Sequence, residues 1–450
     1  MARIAVIGCG YVGAVSAACF AELGHEVDCI DYDVSRIALL RAGKSPIHEP
    51  GLESLIAHHV DKGRLHFSTE YPERFAAKIV FIAVNTPESQ EGAADIRAVR
   101  DAVAMVAPRL APGSIIVNKS TVPIGTGDLV AGMARRAGGG PISVVSNPEF
   151  LREGSAIDDF MAPDRIVLGS DDLEAISRVA ELYEPLDAPI LRVDIRTAEM
   201  VKYASNAFLA TKISFINEIA SICEALGADV EEVARGMGLD DRIGPKFLKA
   251  GLGWGGSCFP KDVKALAHMA SLHGTHPQLL RSVMDINTGQ RLRTVQKVRG
   301  ALGGLEGKRV AILGASFKAD TDDIRNSPAI DLANLLILEG ATVAIFDPVV
   351  PGARIESAAP GVEAAGSAMA AASGSDALVL ATDWPEFKEL DLRDLRQSMR
   401  HDVLVDARNF YPATRARAAG FEYHCIGRPS EEGAPLRALR PLTLAAVGGG

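Results

Sequence analysis

The 450-residue sequence predicts an α/β protein of two doubly wound domains joined by a helical segment. Three observations carry that prediction. A β-branched run, a glycine loop and an Ala-rich helical stretch open the chain. Apolar helical sequence fills the middle. The opening theme then returns from "KRVAILG" onward.

Residues 3–33 set the pattern. In "RIAVIGCGYVGAVSAACFAELGHEVDCIDYD" a strand passes through glycines into a helix, Gly24 is placed to end that helix, and "HEVDCID" supplies the next strand. "IVFIAVN", "SIIVNKS" and "ISVVSN" continue the rhythm, which predicts a parallel sheet covered on both faces. Over 196–300, "TAEMVKYASNAFLATKISFINEIASICEALG" reads as a long helix, apolar on most of its circumference. Such a helix is buried under neighbours or in a subunit interface. Residues 301–450 repeat strand, loop, helix, Gly and strand, with Asp347 closing the second strand as Asp31 does in the first domain (1–195). The closing "VGGG" reads as a frayed tail.

Composition narrows the function. Apolar residues make up 48% and charged residues 23%, as in a globular enzyme. A net charge of −10 argues against a general nucleic-acid binder. The six cysteines form no C-x-x-C pair, so neither a disulfide framework nor a metal is indicated and a cytoplasmic setting is expected. "MARIAVIG" lacks the zones of a signal peptide, and no apolar run reaches the about 18 residues of a membrane span.

Gly8-x-Gly10-x-x-Gly13 lies between strand and helix, and Asp31 follows Gly8 by 23 positions. Glycines admit the pyrophosphate, the helix N-terminus supplies N–H donors, and the acid accepts from ribose hydroxyls while repelling a 2′-phosphate. NAD is the expected cofactor. The second domain keeps only Gly314 of this fingerprint. Its loop carries Lys318, Asp320 and Arg325 instead, either a phosphate site or a solvated charged loop.

Lys202 and Asn206 share one helix face. Lys202 is either half of a structural ion pair or a cation steadying a developing alkoxide. Cys258, in "GLGWGGSCFPKD", is either a buried small side chain or a nucleophile at a helix start, where the thiolate is favoured. Lys261 and Asp262 follow it. Glu149 and Glu153 are four apart and fit one helical turn, solvent-facing on the bland view, and Thr121 ends another strand. A thiol and a carboxylate beside a hydride acceptor would carry an alcohol past the aldehyde, through a thiohemiacetal and a thioester.

"GCGYVG", "STVPIGT", "SNPEFLREGSA", "KYASNAFLATKISFINEIA", "GWGGSCFPKD", "FKADTDDIRNSP" and "VDARN", in this order over nearly the whole chain, resemble the UDP-glucose/GDP-mannose dehydrogenase family. The resemblance implies two Rossmann-like domains joined by a long helix that builds a homodimer. It also implies oxidation of a sugar C6 hydroxyl to a carboxylate with two NAD and one water. By motif, Cys258 is then the nucleophile, Lys202 and Asn206 polarise the C6 oxygen, Asp262 helps position water, and Glu149 is the base, with water held by Thr121. The likeness assigns Gly8, Gly10, Tyr11, Val12, Gly13, Asp31, Arg36 and Thr86 to NAD. It adds Thr121, Glu153, Lys261 and Arg325 to that set. To the nucleotide sugar it assigns Glu149, Phe150, Leu151, Arg152, Lys202, Asn206, Lys249, Gly255, Phe259, Lys318 and Arg408, with Arg242 supplied by the partner subunit. "GGSCFPKD" with a later "ATDWPEF" is closer to members acting on UDP-glucose than to those with Leu after the cysteine or His before it. A sibling acting on another nucleotide sugar such as GDP-mannose, a two-electron 3-hydroxyacid dehydrogenase and a non-catalytic nucleotide-sugar sensor are the competing expectations.

Overall fold

The computed structural model describes residues 1–89, 92–137 and 140–429; the closing "VGGG" lies outside them. The chain divides into two compact units. The first comprises residues 1–208, 257–281 and 319–322, and the second 209–256, 282–318 and the chain from 323 onward.

In the first unit the strands are β1 (Arg3–Ile7), β2 (Glu26–Ile30), β3 (Leu65–Ser68), β4 (Ile79–Ile82), β5 (Ser114–Asn118), β6 (Ile142–Ser146), β7 (Ile166–Gly169) and β8 (Ile190–Val193). They lie in the order β3-β2-β1-β4-β5-β6-β7-β8, parallel except at β6–β7. The run "IAVI" fills both faces of β1. Ile4 and Val6 join one apolar cluster while Ala5 and Ile7 join the other, as expected of a strand covered on both sides. Phe20, fully buried on the helix Tyr11–Glu22, packs on Phe81, Phe160 and Tyr183 at centroid separations of 5.0, 5.1 and 5.3 Å. Truncating such a side chain costs about 3–5 kcal/mol. Gly24 takes φ +91° directly after that helix, which is the stop its position in the sequence predicts.

The second sheet, β9 (Arg309–Leu313), β10 (Thr342–Phe346), β11 (Val362–Ala364), β12 (Ala377–Leu380), β13 (Val403–Asp406) and β14 (Glu422–Cys425), runs β11-β10-β9-β12-β13-β14. Every pairing in it is parallel. Two long helices, Ile195–Leu226 and Gln278–Leu302, contribute residues to both units. Part of the apolar surface of the first faces outward: Phe208, Phe215 and Ile222 are 64, 42 and 46% exposed.

Glu149 and Glu153 do not share a helical turn. The chain around them is irregular and the next helix begins at Ala156. Asn147-Pro148 disfavours helix before Glu149, and Gly154 at φ +82° reverses the chain after Glu153. Nor do they face solvent, since both carboxylates are buried.

Candidate active site

Parallel strands deliver their loops to one edge of the sheet, and the first unit gathers its polar residues there. β1 leads into the glycine loop. A Cβ on Gly8, at φ +97°, would meet the Ala83 carbonyl oxygen at 2.7 Å, and one on Gly13 would meet the Gly8 oxygen at 1.8 Å. Both positions therefore require glycine, as a backbone that must approach pyrophosphate does. Asp31, at the end of β2, accepts the Cys9 N–H at 2.7 Å and the Asp33 N–H at 3.0 Å, and pairs with Arg36 at 3.1 Å. The loop, the helix start and the oriented acid fit a dinucleotide.

In the second unit Asp347 plays the corresponding structural part, accepting from Ala315 N at 2.8 Å and Ser316 N at 3.0 Å. The Trp384 indole also donates to it at 3.1 Å, so an aromatic side chain engages the carboxylate that a ribose would otherwise meet. This gives a physical reason for one dinucleotide fingerprint rather than two.

The chemical cluster lies wholly in the first unit. Lys202, 3% exposed, donates from Nζ to Glu149 Oε1 at 3.0 Å. Four residues on, Asn206 Nδ2 donates to Asp262 Oδ2 at 2.6 Å, and Lys261 Nζ reaches Asp262 Oδ1 at 2.7 Å. One turn of helix thus faces two carboxylates from two different segments. Burial opposes the charge of Lys202, but Glu149, Cys258 and Asp262 outweigh it and raise the pKa above the ordinary lysine value.

Cys258 stands immediately before the helix Phe259–Leu272, with no capping hydrogen bond from its side chain. The helix start was expected to favour the thiolate; the balance goes the other way. Burial pushes the thiol up to about 11, Lys202 pulls it down, and Glu149 and Asp262 push it up again. The residue as a whole is part-exposed, yet the sulfur is enclosed enough for desolvation to win. Ser257 Oγ lies 3.6 Å from Sγ and donates to Glu153 Oε1 at 3.0 Å, while Thr321 holds Glu153 Oε2 at 2.9 Å.

Around the cluster, Phe150 presents its ring 3.6 Å from the Arg165 guanidinium and 5.4 Å from Lys202 Nζ. Leu151 N–H caps Glu149 Oε2 at 2.6 Å, Arg152 pairs with Asp159, and Thr86 Oγ1 donates to the Thr121 carbonyl at 2.7 Å. Tyr11 donates its hydroxyl to Glu49, which also accepts Gly154 N at 2.6 Å and Ala156 N at 2.7 Å. The cofactor loop and the Glu149 segment are thereby tied together.

In the second unit, Lys249 pairs with Asp383 at 2.7 Å. The Arg408 guanidinium donates to the carbonyls of Ala381 at 2.6 Å and Phe317 at 2.9 Å. Lys318 Nζ lies 5.9 Å from the Phe317 ring, and Arg325 is forked on Asp323 with its closest contact at 2.7 Å. A Cβ on Gly255 would meet the Asn326 oxygen at 2.2 Å. Arg242 is 89% exposed and paired with Asp240.

Sequence reasoning missed Lys119, Glu49 and Arg165. Lys119 had a signal, a cation directly after the buried run "SIIVN". The acceptor role of Glu49 depends on contacts more than 100 residues away and left none.

Family models describe the chain along most of its length. Residues 2–187 match the NAD binding domain of the UDP-glucose/GDP-mannose dehydrogenase family, 196–289 its central domain and 311–413 its UDP binding domain. The chain belongs to the UDP-glucose/GDP-mannose dehydrogenase family. It is an NAD-dependent oxidoreductase of that family. It is 46% identical to the UDP-glucose 6-dehydrogenase TuaD of Bacillus subtilis, over 96% of this chain and 95% of the relative. It is 46% identical to the UDP-glucose 6-dehydrogenase of Rhizobium meliloti, over 95% and 100%. Among solved structures, a UDP-glucose dehydrogenase from Pyrobaculum islandicum superposes with a TM-score of 0.87 at 41% identity, covering 94% of this chain and 97% of that one.

Proposed function

We propose that the protein oxidises UDP-glucose at C6 to UDP-glucuronate, a four-electron change that consumes one water. The observation that carries this is the part-exposed Cys258 beside the buried pairs Lys202–Glu149 and Asn206–Asp262, all in the unit that holds the NAD-binding loop. Gly8 to Gly13 (with Tyr11 and Val12), Asp31, Arg36, Thr86, Thr121, Glu153, Lys261 and Arg325 would hold NAD, which would supply the hydride acceptor.

Lys202 and Asn206 donate to the C6 oxygen and stabilise the charge that develops there. The C6 alcohol gives up its hydroxyl proton and a first hydride, which NAD would accept, leaving an aldehyde. The Cys258 sulfur then adds to the carbonyl carbon, the thiol proton passes to the carbonyl oxygen, and a thiohemiacetal forms. Loss of the thiohemiacetal hydroxyl proton and of a second hydride, which a second NAD would accept, turns this into a thioester. Glu149 takes a proton from water as the water attacks the thioester carbon, and the Cys258 sulfur leaves. Asp262 orients water, with Thr121 beside the same edge. Phe150, Leu151, Arg152 and Phe259 shape the sugar site; Lys249, Gly255, Lys318 and Arg408 serve the nucleotide. Arg242, exposed and outside the cluster, serves a partner subunit's site. Phe208, Phe215 and Ile222 recur every seven residues and so share one helix face, which supports a homodimer on the long helix. Six free cysteines suit the reducing cytoplasm. Among the described residues no helix is long and apolar enough to cross a membrane.

Profiling NADH formation on UDP-glucose, GDP-mannose and UDP-N-acetylmannosamine tests the substrate. UDP-glucose is expected to have the highest kcat/KM, and preference for either of the others would replace it.

A further inference from the structure

Lys202 is one cation with two tasks. On the mechanism above it must donate to the C6 oxygen while holding Glu149 at 3.0 Å. Every hydrogen bond it gives the substrate loosens its hold on a buried carboxylate, whose charge is costly without a partner.

A second cation stands nearby. Lys119 follows β5 and is 4% exposed. Its Nζ donates to Asn147 Oδ1 at 3.1 Å and Tyr183 Oη at 3.4 Å, and lies 5.8 Å from the centroids of Phe160 and Tyr183. Among the described residues it has no carboxylate in ion-pair contact. A buried ammonium held only by neutral groups is expensive, and a leucine or methionine would fill the space more cheaply. Burial brings its pKa down to about 8; Glu149 resists that loss of charge, Lys202 adds to it, and Cys19 resists it again.

Asn147 joins this ammonium to the site. Its Oδ1 takes Lys119 and the Tyr183 hydroxyl, the latter at 2.6 Å, while its Nδ2 donates to the Val167 carbonyl at 3.0 Å. Glu149 follows two residues later, beyond the stiff Pro148.

We propose that Lys119 is a positioning residue for this reaction: through Asn147 it fixes the Asn147-Pro148-Glu149 segment, and its buried charge keeps Glu149 ionised while Lys202 serves the substrate oxygen. The proposal rests on the reading of Glu149 as the base.

The test is the pH–rate profile of wild type, Lys119→Met, Lys119→Gln and Lys119→Arg with UDP-glucose and NAD, with melting curves for each. Both neutral variants are expected to move the acid limb upward by about one pH unit. The arginine variant should return it toward wild type, and KM for NAD should stay unchanged. A pH-independent loss of kcat, or an arginine variant that behaves like methionine, overturns the proposal. So does loss of the cooperative melting transition in both neutral variants, which would make Lys119 a structural support. Wild type that fails to reduce NAD with UDP-glucose sinks the functional reading itself. Normal wild-type turnover with an unmoved acid limb sinks only the role of Lys119.

Discussion

On the proposed mechanism, Cys258 is a nucleophile kept as a thiol until needed. Its pKa of about 11 reflects burial, which Lys202 and, more weakly, Ser257 offset. Alkylation of the free protein by iodoacetamide is therefore expected to be slow at neutral pH and to gain about tenfold per pH unit below that value. Lys202→Met should slow it further at every pH in that range. A rate that is fast and flat from about pH 6 to 8 would mean the thiolate is already formed. This local balance was not legible in the sequence, which shows that a cysteine starts a helix but not that two carboxylates share its enclosure.

At the scale of elements, the long helix aims Lys202 and Asn206 and is itself anchored by Glu199. That buried carboxylate accepts Gly125 N at 2.6 Å and Gly127 N at 2.8 Å, tying the helix to the loop after Thr121. Burial raises its pKa from 4.5 to about 7 against the pull of those two amides. A carboxylate raised on folding favours the native state while protonated, so the contribution is whole below the unfolded value and is lost as pH rises through about 7. Melting temperature should fall across that window in wild type, and Glu199→Gln should flatten this part of the curve; an unchanged slope would contradict the assignment. Elements were the most legible scale. "RIAVIGCGYVG" states strand, loop and helix through chemistry that only glycine permits at Gly8 and Gly13. The Glu149–Glu153 spacing misled because Asn147-Pro148 and Gly154 overrule a four-residue period.

At the scale of the whole molecule, the return of strand, glycine and acid near Gly314 and Asp347 was legible as a second parallel sheet. That Trp384 would engage Asp347 was not, because its partner lies 37 residues away in the chain. The exposed Phe208, Phe215 and Ile222 predict association. Phe215→Asp is expected to halve the mass seen by light scattering while the melting transition survives; an unchanged mass would place the interface elsewhere.

The central claim is that Cys258 carries the substrate through two oxidations without releasing an aldehyde. Counting NADH formed per UDP-glucose consumed tests it most directly, in wild type and in Cys258→Ser. Two NADH per UDP-glucuronate are expected in wild type, and loss of steady turnover in the serine variant. One NADH per product, or a serine variant that turns over as wild type does, would contradict it.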